Sequence, residues 1–166
     1  IGAAEFSIAR RPRVNGVPLA WYSYPEDSGA AARKFSRTSS AVEYFSSLIG
    51  PYPYEKLAQV QATVRFDGME NSSVIFYKES LFQETPASEV PLPHEIAHQW
   101  FGNSVTQSDW DQLWLSEGFA TYFEALFYEH MDGPGSLKQR MADHAKNLML
   151  SKLARSKPVI DPAQTD

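Results

Sequence analysis

The chain contains no cysteine. That excludes disulfide frameworks, thiolate metal sites and cysteine nucleophiles together. It has no apolar run approaching the ~18 residues of a bilayer-spanning helix, so no membrane-spanning segment is expected. Basic side chains are the minority, 15 against 20 acidic, and the resulting charge of −5 argues against nucleic-acid partners. There is no internal repeat and no low-complexity tract. The chain opens on Ile1 rather than Met, without a basic-then-apolar leader, so any targeting signal is expected to have been cut away or never to have existed. A cysteine-free chain suits either redox environment, which leaves the compartment open.

What is present is the composition of an ordinary globular domain, 43% apolar and 21% charged over 166 residues, enough for one hydrophobic core. Residues 1–13 read as peripheral, with Arg10, Arg11 and Arg13 in a solvated loop. Val17 to Tyr24 predicts a strand. Phe35, Val42, Phe45 and Ile49 recur at helical spacing, predicting a helix from Asp27 to Ile49 that Asp27 or Ser28 caps and Gly50-Pro51 ends. Ala58, Val60, Ala62, Val64 and Phe66 alternate with polar residues, predicting a strand with its apolar face buried. A second strand, Val74 to Tyr77, is expected to lie antiparallel to it, with Asp67 to Asn71 at their junction. The second half predicts helices from Pro93 to Gly102, from about Asp109 to Met131, and from Ser136, where Ser136 and Gln139 form a capping box. The last would carry Leu137, Met141, Ala145 and Leu148 on one stripe. Strands first and helices after indicate an α+β fold, a small mixed or antiparallel sheet followed by a helical half.

Chemistry concentrates in His94-Glu95-Ile96-Ala97-His98, an HExxH pattern. Residues four apart on a helix differ by about 40° in direction and ~6 Å in height, so both imidazoles lean toward one point. Two neutral imidazoles suit zinc. Glu95, about 100° round from His94, is too far to join as a close ligand but can reach a water on the metal's open side. A catalytic site needs a third protein ligand. Glu117, eighteen residues beyond His98, is one candidate, and Asp109, Asp111 and Glu124 compete with it on spacing. The isolated His130 and His144 read as surface histidines. Trp100, Trp110 and Trp114 read as packing between the two zinc-site helices.

The run His94-Glu95-Ile96-Ala97-His98-Gln99-Trp100-Phe101-Gly102-Asn103, followed by Trp110 and Leu113-Trp114-Leu115-Ser116-Glu117-Gly118-Phe119-Ala120, resembles the gluzincin aminopeptidases of the aminopeptidase N type. Gly68-Met69-Glu70-Asn71 resembles the end of that family's Gly-Ala-Met-Glu-Asn exopeptidase motif, and Gly50 to Leu57 the connection that precedes it. The resemblance covers about residues 17–166. It implies a thermolysin-like core in which His94, His98 and Glu117 hold one zinc ion. Glu95 would then serve as general base for zinc-hydroxide attack on peptides with a free N-terminus. Glu70 would pair with the substrate's α-ammonium, with Gly68, Met69 and Asn71 completing the substrate-binding segment. Thr121 and Glu124, one and two turns beyond Glu117 on its helix, are candidate partners of the zinc histidines.

Several positions depart from the family. Asp67 stands where its motif has the first glycine, and could add an acceptor for the amine or cap the loop. Ser72-Ser73 replaces an apolar pair. Pro93 shortens the zinc helix. The family's catalytic tyrosine lies far beyond the third ligand, whereas no tyrosine follows Tyr128 here. The resemblance therefore implies an incomplete catalytic domain over residues 17–166, with residues 1–16 the tail of a preceding β domain. The missing N- and C-terminal domains are partners, and activity of these residues alone would be weak. Rival readings are a gluzincin endopeptidase, an epoxide-hydrolase relative, or a peptidase-like binding scaffold. The last fits poorly with four intact site residues.

Overall fold

The computed structural model describes residues 4–83, 90–151 and 159–160. Its five strands form one mixed sheet in the order β1–β2–β3–β5–β4. Strands β1 (Ser7–Val14) and β2 (Val17–Ser23) make an antiparallel hairpin. Asn15 and Gly16 turn it, at φ 50° and 86°. Two successive positive φ values are those of a type I′ turn, whose twist matches that of the strands it joins. The three arginines thus lie on an exposed edge strand rather than in a loop, with Arg11 over the Trp21 ring at 4.6 Å.

From β2 the chain passes through a 3-10 turn (Pro25–Asp27), α1 (Ser28–Lys34) and α2 (Thr38–Leu48) to β3 (Leu57–Ala62), which runs parallel to β2. The single helix expected over this stretch is broken at Phe35, a fully buried side chain whose carbonyl accepts from the Thr38 hydroxyl at 2.7 Å as α2 begins. Asp27 caps nothing. Its carboxylate accepts instead from the Gln61 amide at 2.6 Å. Gly50, at φ 135°, follows the helix end as the sequence implies.

Strand β3 corrects the expectation twice. It ends at Ala62, four residues early, and its glutamine face is buried along with the expected apolar one. Gln59 donates to Thr38 Oγ1 at 2.6 Å, and Gln61 accepts from the Tyr24 N–H at 2.9 Å, so both are buried with partners. Ala58 and Val60 face the other way. With Pro18, Tyr22, Val74 and Phe76 they line an open groove of about 590 Å³.

The expected antiparallel pairing of β3 with β5 (Val74–Lys78) is also corrected, because the two are parallel, Ala58 opposite Val74 and Val60 opposite Phe76. The connection itself performs the reversal. It crosses beyond β5 and returns along its far side as β4 (Gly68–Met69), antiparallel to β5 with Gly68 opposite Tyr77. Ser73, at φ 68°, completes the turn into β5. The Gly68–Asn71 segment therefore forms the edge of the sheet, against the next helices.

Those are α3 (Ser80–Gln83), α4 (Leu92–Ala97), α5 (Trp114–Asp132) and α6 (Ser136–Leu150), with a 3-10 turn (Trp110–Gln112) before α5. One core joins sheet and helices through Leu19, Phe35, Phe45, Ile75, Ile96 and Phe127. The chain after α4 meets α5 through Phe101, stacked on Phe119 at 4.8 Å and on Phe123 at 4.9 Å. Trp100 is buried against Phe45 and Tyr52, but Trp110 and Trp114 are 52% and 44% exposed, so phenylalanines supply the packing expected of the tryptophans.

The capping box at Ser136 does not form. Gly135 holds the cap position at φ 107°, and the Gln139 amide donates to Asp143. Met141 and Leu148 of the α6 stripe face solvent. Both isolated histidines are exposed, His130 stacking on Tyr44 at 4.4 Å.

Candidate metal centre

Helix α4 is short because Pro91 and Pro93 bound its start, while at its end the hydrogen bonds tighten, Gln99 N–H to Ile96 O and Trp100 N–H to Ala97 O. His94, within the helix, and His98, its C-terminal cap residue, project from one side, one turn apart. Their Nε2 atoms stand 3.0 Å from each other. Glu117, in the first turn of α5, brings one carboxylate oxygen to 3.3 Å from His94 Nε2 and the other to 3.6 Å from His98 Nε2. Among the described residues these three form a group able to hold a metal ion. Neither Asp109 nor Asp111 joins it, and Glu124 approaches only the far nitrogen of His94, Nδ1, at 3.6 Å.

The donor set fits zinc. Bonds of about 2.0–2.1 Å in a tetrahedron place neighbouring donors ~3.3 Å apart, and the three separations here bracket that value. The protonation pattern agrees. His98 Nδ1 lies 3.0 Å from the Phe101 carbonyl oxygen, which can only accept, so Nδ1 carries a hydrogen and Nε2 is the nitrogen turned toward the other ligands. Gly102 keeps this turn tight at φ 110°; a Cβ there would come within 3.2 Å of His98 Nδ1.

Electrostatics reinforce the geometry. Burial disfavours charge on His94, yet the Glu117 and Glu124 carboxylates outweigh it and carry its pKa up to about 10. His98 is raised as well, burial again opposing and Glu117 prevailing. The two imidazoles hold Glu117 well below the usual carboxylate range. Groups that draw a proton so strongly onto the imidazoles would draw a divalent cation likewise.

Glu95 is buried beside the ligands, and its Oε2 has no hydrogen-bond partner among the described residues. Burial, only partly offset by the two histidines, pushes its carboxyl up to about 7. Its other oxygen lies against the α-carbon of Gly68 on the sheet edge. Glu70, half-buried one residue past β4, is close enough for its charge to be felt at both Glu95 and His98. Met69 continues β4, and the Asn71 carbonyl accepts from Gln99. Asp67 points away, toward Lys78 at 3.8 Å.

Two side chains that the sequence reading passed over complete the region. Gln99 is fully buried and donates to the Glu70 carbonyl at 3.0 Å. Asn103 donates to the same carbonyl. The available signal was their place directly after His98 and five residues beyond it, inside the run that carries the family resemblance.

Paired imidazoles from one helix, a carboxylate from the next and a buried glutamate in between are the working parts of an HExxH metallopeptidase. Residues 34–166 match the Peptidase family M1 domain, and the chain belongs to that family. It is 32% identical to glutamyl aminopeptidase of Bos taurus over 82% of its own length, and 32% identical to aminopeptidase N of Mus musculus over 96%. It spans only 16% and 18% of those proteins. Among solved structures, a mutant of the M1 zinc metallopeptidase from Deinococcus radiodurans superposes with a TM-score of 0.73 at 26% identity, covering 93% of this chain and 35% of that one.

Proposed function

We propose that this chain is the zinc-bearing part of an aminopeptidase, with His94, His98 and Glu117 as the ligands, Glu95 as the general base and Glu70 as the anchor for the substrate's amino terminus. The observation that carries the reading is the convergence of the two Nε2 atoms and the Glu117 carboxylate, at separations of 3.0, 3.3 and 3.6 Å, beside a buried carboxylate whose Oε2 has no partner among the described residues.

A bound zinc ion supplies Lewis acidity, which acidifies water and stabilises charge on a scissile carbonyl oxygen. The residues do the rest. Glu95, with an unpartnered oxygen and a pKa near the working range, takes the proton of the attacking water and returns it to the departing amine. Glu70 fixes an α-ammonium by a charge-assisted hydrogen bond, which measures one residue from the scissile bond. Gly68, Met69 and Asn71 present that carboxylate from the sheet edge, where an extended substrate backbone can align with β4. Substrates are thus peptides with a free amino terminus, and the remaining domains of the relatives are this segment's structural partners.

The test pairs a free-amino chromogenic amino-acid amide with its N-acetylated twin, alongside metal analysis. Expected are about one equivalent of zinc and cleavage confined to the free-amino compound. Equal cleavage of both would instead indicate an endopeptidase. Protein that takes up no zinc would overturn the whole reading.

A further inference from the structure

We infer that Gln99 is the positioning residue that sets the distance between the zinc site and Glu70, and so determines how well the site recognises a free α-amine. The inference rests on the aminopeptidase reading above and assigns the device that holds its two halves in register.

Gln99 directly follows a zinc ligand in sequence, is fully buried, and uses its whole hydrogen-bonding capacity on one segment and its support. Oε1 accepts from the Ser73 N–H at 2.9 Å and lies 3.1 Å from the Tyr52 hydroxyl. Nε2 donates to the Glu70 carbonyl at 3.0 Å and reaches the Asn71 carbonyl at 3.4 Å. The amide can sit only this way round, since a flipped group would set N–H against N–H and oxygen against two carbonyls. Asn103, whose N–H bonds back to the His98 carbonyl, grips the same Glu70 oxygen from its other side. The Glu70 segment is a two-residue edge strand followed by a left-handed Ser73, which gives it little rigidity of its own. Its position is inherited from the turn that carries His98. Buried polar networks fix geometry when every member is paired, and this one is paired throughout.

A merely structural glutamine would affect stability and leave ligand preference alone. The zinc-loaded chain is therefore titrated with two probes, L-leucine hydroxamate and its N-acetylated counterpart. Both offer the same zinc-binding group, and only the first offers an ammonium to Glu70. The wild-type chain should bind the free-amino probe at least about tenfold tighter. In Gln99→Glu, which keeps the shape and the acceptor for Ser73 but sets an oxygen against the Glu70 and Asn71 carbonyls, that preference should collapse while affinity for the acetylated probe is unchanged. Gln99→Met should do the same and also speed hydrogen exchange at the Ser73 amide, which Gln99→Glu should leave protected. A wild-type preference that survives in both variants overturns the role of Gln99 alone. Absence of any preference in the wild-type chain overturns the aminopeptidase reading, and this inference with it.

Discussion

A side chain on Gly68 would collide with Glu95, whose carboxylate lies against the Gly68 α-carbon. A Cβ built there overlaps the carboxylate carbon and one oxygen, and stands 2.7 Å from Glu95 Cγ. The glycine, from the sheet edge, thus limits where the Glu95 carboxylate, the proposed base, can rest. The related exopeptidase motif has alanine at this position. That is compatible, because the obstructing atoms are the free end of a flexible side chain, which can swing aside at small cost. A β-branched residue allows no such adjustment. Gly68→Val should therefore retain about one equivalent of zinc but lose roughly 100-fold in turnover of a free-amino amide, the scale of a displaced general base. Gly68→Ala should stay close to the wild-type chain. Full activity in Gly68→Val would show that Glu95 is not held by this contact.

Glu124 faces the outer nitrogen of His94 from one helix, while Glu117 faces the inner nitrogen from two turns earlier on the same helix. A carboxylate on the outer nitrogen fixes ring orientation and raises ligand basicity. Glu124→Gln should weaken zinc binding by roughly 10–100-fold, as read by competition with a chromophoric chelator. Glu117→Gln, losing a ligand outright, should weaken it more. The reverse order would mean that Glu124 rather than Glu117 coordinates the metal.

Gly102 answers to a different constraint. Its φ of 110° is costly for any side chain, and a Cβ would press on Ser116 Cβ at 3.1 Å and His98 Nδ1 at 3.2 Å. Gly102→Ala should lower unfolding free energy by about 1–3 kcal/mol, measured by urea denaturation of the zinc-free protein. Because the crowded atom is the nitrogen that orients His98, zinc affinity should fall as well. Loss of stability with unaltered zinc affinity would show that the strain is absorbed elsewhere.

The candidate metal centre was legible because its signal is local. A fixed spacing on one helix brings His94 and His98 together whatever surrounds them, and the family likeness selected Glu117 where spacing alone left Asp109, Asp111 and Glu124 open. The α+β class also followed from element order. What failed depended on distant partners. The alternation in β3 correctly implied a strand with a buried apolar face, but periodicity does not announce that the polar face is buried too, and Gln59 and Gln61 are buried where Thr38 and Asp27 meet them. The direction of β5 relative to β3 depended on where the intervening chain went, which the short segment 63–73 does not announce. The hairpin at Asn15-Gly16 is the one miss with a clear local signal, outweighed by the run of arginines beside it.

Tyr77 gives the pH-dependence its sign. Its ring is fully buried between sheet and helices, tilted against Phe35 at 5.2 Å, and its hydroxyl has no hydrogen-bond partner among the described residues. Burial, aided by the negative charge of Glu95, pushes its pKa well above the ordinary value of 10.0. A phenol is neutral when protonated, so above pH 10 the unfolded chain releases this proton while the folded chain keeps it. The unfolded state then binds fewer protons, and stability falls as pH rises through that range. Tyr77→Phe removes the group. The variant should match or slightly exceed the wild-type chain at neutral pH, since an unpaired buried hydroxyl is lost. Beyond pH 10 its stability should decline less steeply, by up to about 1.4 kcal/mol per pH unit. Some decline should persist, because burial also raises the pKa of Tyr52. Urea midpoints for both proteins across the alkaline range decide the matter, and parallel curves would mean that Tyr77 ionises as readily in the folded chain as in the unfolded one.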